Sequence, residues 1–162
     1  MNLKEIIDKN GNKIKAHTHI GVYGLIIKDD KILLINKVTG PYDGLLDLPG
    51  GSFEFGETPV ETLKREFIEE TGLTILDYEL FDTNSVLVDW NSDNYGLIKV
   101  HHIGMFYKIN SCEGAIKKDI SIDDKNDDSL GATFYDINSL KKDNLSSIVI
   151  LELEKLGYDL EG

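Results

Sequence analysis

Glu66, Glu69 and Glu70 stand at i, i+3 and i+4, a spacing that puts three carboxylates on one face if the segment is helical. Like charges so close repel one another and weaken a helix. A divalent cation is the simplest neutraliser, and oxygen ligands alone favour magnesium or manganese. Glu54, Glu57 and Glu61 crowd the same short stretch, GSFEFGETPVETLKREFIEETGL, which opens at Gly51 and closes at Leu73.

The helix that must carry these acids is well signalled. Thr58 is a suitable N-cap, Pro59 suits the first helical position, and Glu61 completes a capping box. Gly72 stands where a left-handed C-terminal residue belongs. Val60, Leu63 and Phe67 form an apolar stripe. At about 100° per residue Glu70 falls beside that stripe, followed by Glu66 and then Glu69. A carboxylate at the edge of a buried face is costly unless it is paired or bound to a cation.

Gly51, Glu57, Arg65, Glu66, Phe67, Glu69, Glu70, Gly72 and Leu73 fill the pattern G-x5-E-x7-R-E-u-x-E-E-x-G-u, where u is bulky and apolar. The chain thus resembles the Nudix hydrolases, with Phe67 where that family more often has an aliphatic residue. The resemblance implies an α/β/α sandwich around a mixed sheet and a Mg²⁺-dependent pyrophosphohydrolase, with Mn²⁺ as a substitute. The implied substrate is a nucleoside diphosphate linked to a further group, such as ADP-ribose or another nucleotide sugar. A triphosphate-sanitising pyrophosphohydrolase and a non-catalytic nucleotide-sensing domain are the alternatives. By resemblance Glu66, Glu69 and Glu70 supply metal carboxylates, with Glu66 or Glu69 serving instead as general base. The carbonyl of Gly50 reaches the metal, Arg65 orients a neighbouring glutamate, and Glu57 stands behind the triad. Asp127 and Asp128 match a further acidic contribution from a downstream loop.

Lys37, at the end of a β-rich run, is placed to touch a substrate phosphate. Tyr42 and Phe53, with Trp90 and Tyr95, are candidates for stacking on a base or sugar, against a default of core packing. His101 and His102 are adjacent, so on a strand they face opposite ways and read as sheet residues. Cys112 is the one cysteine, which rules out an internal disulfide.

The other elements follow from turn signals and periodicity. A hairpin over Glu5 to Lys15 turns at Asn10-Gly11, and a second joins His17–Lys28 to Lys31–Val38 through Asp29-Asp30. Leu45 to Leu48 is a short strand. Longer strands run over Ile75–Asp89 and Leu97–Ile109, and a last one over Ala132–Tyr135. A second helix spans Leu145 to Leu156. The whole reads as one domain over 1–162, with residues 1–15 a hairpin extension that offers a pairing surface for a homodimer.

The net charge of −12, from 29 acids against 17 bases, argues against an extended nucleic-acid surface. A phosphate substrate must be drawn in locally, by a metal and a few bases. There is no apolar run that would span a bilayer and no signal-peptide core, so the expected location is cytoplasmic.

Overall fold

The computed structural model describes residues 2–117 and 129–162. Strand β1 (Lys4–Ile7) and β2 (Lys13–Leu25) form the amino-terminal hairpin, turning through residues 8–12. Then come β3 (Ile27–Lys28), β4 (Lys31–Lys37), β5 (Leu46–Asp47), β6 (Gly50–Ser52) and helix α1 (Pro59–Thr71). Strands β7 (Thr74–Ser92), β8 (Gly96–Glu113) and β9 (Ser129–Asp136) precede helix α2 (Ser147–Lys155).

The strands form two sheets. In the first, β2 pairs parallel with β8 on one side and antiparallel with β1 and β6 on the other, while β7 lies antiparallel beyond β8. In the second, β4 pairs antiparallel with β3, β5 and β9. The expected second hairpin is therefore mostly wrong. Asp29 and Asp30 both take positive φ, as a two-residue hairpin turn requires, but the strand they return from is only β3. The extended run is interrupted at Ile26, and β2 before it belongs to the other sheet.

Helices cover both faces, so β4 is apolar on both sides rather than alternating. Ile32 and Leu34 pack with Ile148, Val149 and Leu153 of α2. Leu33 and Ile35 pack with Leu63 and Phe67 of α1. Burying Leu63 and Phe67 contributes about 1.5–3 kcal/mol each. The result is the expected mixed α/β sandwich. Helix α1 has the expected ends. Thr58 and Glu61 form a reciprocal capping box, and Gly72 at φ 80° donates its N–H to the Ile68 carbonyl. Helix α2 begins at Ser147, slightly later than its apolar rhythm suggests, because Ser146 is its N-cap. The Ser146 hydroxyl also donates to Asp47 (2.7 Å), tying the helix to β5. No described helix is long and apolar enough to cross a membrane.

One buried acid of α2 carries a pH prediction. Glu152 is fully buried beside Asp82 of β7, which in turn pairs with Lys155. Burial first, then the hydrogen bond and charge of Asp82, push the Glu152 carboxyl up to about 8 from 4.5. The folded chain thus keeps a proton that the unfolded chain releases. This stabilisation is whole below pH 4.5 and is lost as pH rises through 8. Glu152→Gln removes the dependence. Its melting temperature is expected to exceed the parent's by a widening margin from pH 4.5 to 8. Thermal melts across that range check it; a margin that does not vary with pH refutes it.

Candidate active site

Helix α1 presents its acids to the short strand β6. Glu70 is buried, and its Oε1 accepts the Gly50 N–H at 2.8 Å. Glu66 lies over Gly51 so closely that a Cβ on that glycine would stand 2.8 Å from the Glu66 Cδ. Glu69 points further out; its side chain is 45% exposed. This is the order that helical periodicity assigned, with Glu70 innermost and Glu69 outermost.

Arg65 binds the acids together. Its Nε and Nη2 fork onto the two oxygens of Glu57 at 2.8 and 2.9 Å. Its Nη1 donates to Glu66 (2.9 Å) and, at 3.4 Å, to Glu69, and Nη2 also donates to the Ser52 carbonyl (2.9 Å). A planar guanidinium can meet this many partners and an ammonium cannot. Hydrogen bonds from Arg65, from the Glu54 backbone and from Thr62 hold the Glu57 carboxyl down to about 2. Glu57 is therefore an anion at any working pH.

Beside β6 opens a cleft of about 380 Å³. Glu66, Gly50 and Gly51 line one end, and Trp90, Pro41 and Val100 line another stretch of wall. Lys37 and Tyr42 line the cleft. Phe53 does not: it packs against the α1-side core, where Leu63 and Phe67 offer it more apolar contact. Tyr95 is exposed and also outside the cleft, and Asp127 and Asp128 lie outside the described residues. His101 and His102 do face opposite ways, His101 exposed and His102 buried.

Among the cleft residues that the sequence did not mark as site candidates are His19, Tyr23, Asp47, Ser52 and His102. Tyr23 Oη lies 2.6 Å from His102 Nε2, and Tyr42 Oη lies 2.7 Å from His102 Nδ1. Burial, with His19 and Lys37 nearby, pushes the His102 imidazole down to about 3, so the ring is neutral. Burial likewise keeps both phenols protonated. One clue was available: His17, His19, Ile98, Val100 and His102 share strand parity, but only if β2 and β8 pair as they do.

The family model for the NUDIX domain matches residues 17–151, most of the chain. The chain belongs to the NUDIX domain family. This Nudix hydrolase acts on acid anhydrides in phosphorus-containing compounds. It is 34% identical over 142 residues to an ADP-ribose pyrophosphatase of Methanocaldococcus jannaschii, a match covering 86% of this chain and 76% of that protein. It is 35% identical over 80 residues to a probable DHNTP pyrophosphohydrolase of Lactococcus lactis subsp. cremoris, covering 49% of this chain and 46% of that one. Its fold resembles the crystal structure of a MutT NUDIX hydrolase from Burkholderia pseudomallei, with a TM-score of 0.67 at 21% identity, covering 86% of this chain and 98% of that one.

Nudix hydrolases generally use divalent metals. Among the described residues no three His, Cys, Asp or Glu side chains gather into a ready-made cage. The donor chemistry nevertheless fits a hard cation. Glu66 and Glu70 are carboxylates of one helix set against the adjacent residues Gly51 and Gly50, and the space a side chain at Gly51 would fill is left to Glu66.

Proposed function

We propose that this Nudix hydrolase cleaves the pyrophosphate bond of a nucleoside diphosphate linked to a second group, with ADP-ribose as the leading substrate and Mg²⁺, or Mn²⁺ in its place, as cofactor. The observation that carries the reading is the reach of the likeness to the M. jannaschii ADP-ribose pyrophosphatase. It covers 86% of the chain, and so extends beyond the acidic box to strands that line the cleft. The cleft supports it, because phosphate-facing polar groups at the box end adjoin an apolar wall suited to a base or sugar.

On this reading Glu66, Glu70 and the Gly50 carbonyl hold the cation. When bound, it supplies charge neutralisation of the diphosphate and acidification of a water. Arg65 fixes the Glu66 carboxylate, keeps Glu57 ionised beside it and pairs with Glu69. Glu66 or Glu69 takes the proton of the attacking water. Lys37 steadies a phosphate oxygen, and Trp90 with Pro41 walls the outer group. Positioning and charge carry most of the rate, because phosphoryl transfer asks little covalent chemistry of the protein.

The test is a panel of ADP-ribose, other nucleotide sugars and nucleoside triphosphates with Mg²⁺, resolving the released phosphate species. AMP with ribose 5-phosphate from ADP-ribose is expected, and a chelator abolishes it. Release of inorganic pyrophosphate from triphosphates, with ADP-ribose untouched, overturns the reading in favour of a triphosphate pyrophosphohydrolase.

A further inference from the structure

A line of hydrogen bonds crosses the cleft and belongs to no part of the acidic box. It runs from Tyr42 to His102, from His102 to Tyr23, from Tyr23 to His19 (3.3 Å) and from His19 Nδ1 to the Ser52 hydroxyl (3.4 Å). The backbone is shaped to allow it. Gly21 of β2 stands opposite Gly104 of β8, and two residues on Tyr23 stands opposite Phe106. Each ring lies back over its own strand's glycine. A Cβ at Gly21 would meet the Tyr23 Oη at 2.3 Å, and one at Gly104 would meet the Phe106 ring at 2.4 Å. The two rings stack with centroids 5.7 Å apart. Paired glycines thus let the Tyr23 hydroxyl reach between two histidines.

The line has a direction. Neutral His102 carries one N–H and one lone pair, and each faces a tyrosine hydroxyl. With the Tyr42 O–H donating to His102 Nδ1, the rest of the line follows. The His102 proton is then on Nε2 and is donated to Tyr23 Oη. The Tyr23 O–H donates in turn to His19 Nε2. His19 is left with its proton on Nδ1, the nitrogen beside Ser52. His17, two residues away, has the opposite polarity. Its Nδ1 donates to the Asn2 carbonyl (3.2 Å), which leaves Nε2 as an acceptor.

The His19 end of the line adjoins the box. Ser52 follows Gly51, and its carbonyl takes a hydrogen bond from Arg65. A donor there meets the diphosphate, not the outer base. We propose that the His19 Nδ1–H donates a hydrogen bond to a phosphate oxygen of the nucleoside diphosphate, and that Tyr42, His102 and Tyr23 are positioning residues that hold His19 in that tautomer. This rests on the pyrophosphohydrolase reading above.

The test combines kinetics with a spectroscopic signature. With ADP-ribose and Mg²⁺, His19→Ala is expected to raise KM by about ten- to a hundredfold, the range of one hydrogen bond to a charged group, while kcat changes less. His19→Asn, whose amide nitrogen falls near Nδ1, restores most of the loss; His19→Gln, which reaches toward Nε2, does not. Tyr23→Phe keeps the ring over Gly21 and removes one link, and raises KM by roughly fivefold to tenfold. Long-range ¹⁵N–¹H spectra of the parent are expected to show His19 protonated on Nδ1, with that preference lost in Tyr23→Phe. A parent spectrum with the proton on His19 Nε2 overturns the inference even if no variant folds. So does a His19→Ala enzyme with the parent's KM. A parent that cleaves no nucleoside diphosphate overturns the underlying reading, and the inference with it.

Discussion

Glu70→Gln is expected to leave the fold intact and to lower kcat by about 10²–10³-fold, the scale of the several kcal/mol that a bound dication supplies. The substitution changes little but charge. A glutamine has the same length, and its amide oxygen still accepts the Gly50 N–H that now bonds to Oε1. Glu70 is 2% exposed, and the substitution removes a buried charge while keeping the side chain's size. A purely structural role predicts unchanged turnover. The metal role predicts a collapse of turnover. A second readout separates the two. A ligand that binds only the folded state raises its stability, so Mg²⁺ shifts the parent's melt upward and shifts the variant's much less. Parental kcat at saturating Mg²⁺ in Glu70→Gln would remove Glu70 from the metal site.

That Glu70 could be singled out from sequence reflects how local its signals are. Thr58, Pro59, Glu61 and Gly72 fix where the helix starts and stops. Val60, Leu63 and Phe67 fix its buried face, so the angular order of the three acids follows. The cleft opposite was hardly legible, because its residues meet through strand register. Tyr23 and His102 are 79 positions apart, brought together only by the parallel pairing of β2 with β8. Nothing near His19 or Gly21 announces that pairing. Phe53 failed for a related reason: an aromatic beside the box could face the cleft or the core, and the direction in which β6 leads into the loop decides for the core. The break at Ile26, which sends β2 and β3 into different sheets, is likewise a tertiary outcome, since GVYGLIIKDDKILLINKV reads locally as one continuous hairpin.

Two adjacent glycines should separate fold from chemistry. Gly50 takes φ 142°, and a Cβ there would stand 2.1 Å from the Val22 carbonyl oxygen and 2.7 Å from the Tyr23 Cα. Both are backbone atoms of the strand that β6 pairs with, so no change of rotamer relieves the contact. Gly50→Ala is expected to destabilise by about 3 kcal/mol or more, combining backbone strain with overpacking. A urea midpoint or the yield of soluble protein reports it. At Gly51 the atoms a Cβ would meet are the Glu66 Cδ at 2.8 Å and Oε1 at 2.9 Å, the far end of a flexible side chain. Gly51→Ala should therefore fold nearly as well as the parent. Its displaced Glu66 carboxylate breaks from Arg65 Nη1 and leaves the strand it faces. The expected cost is catalytic, about 10–100-fold in kcat, as for the loss of a group that orients a metal ligand. Equal melting of Gly50→Ala and the parent would refute the steric account of Gly50. Parental turnover in Gly51→Ala would show that Glu66 does not act from the place it holds against β6.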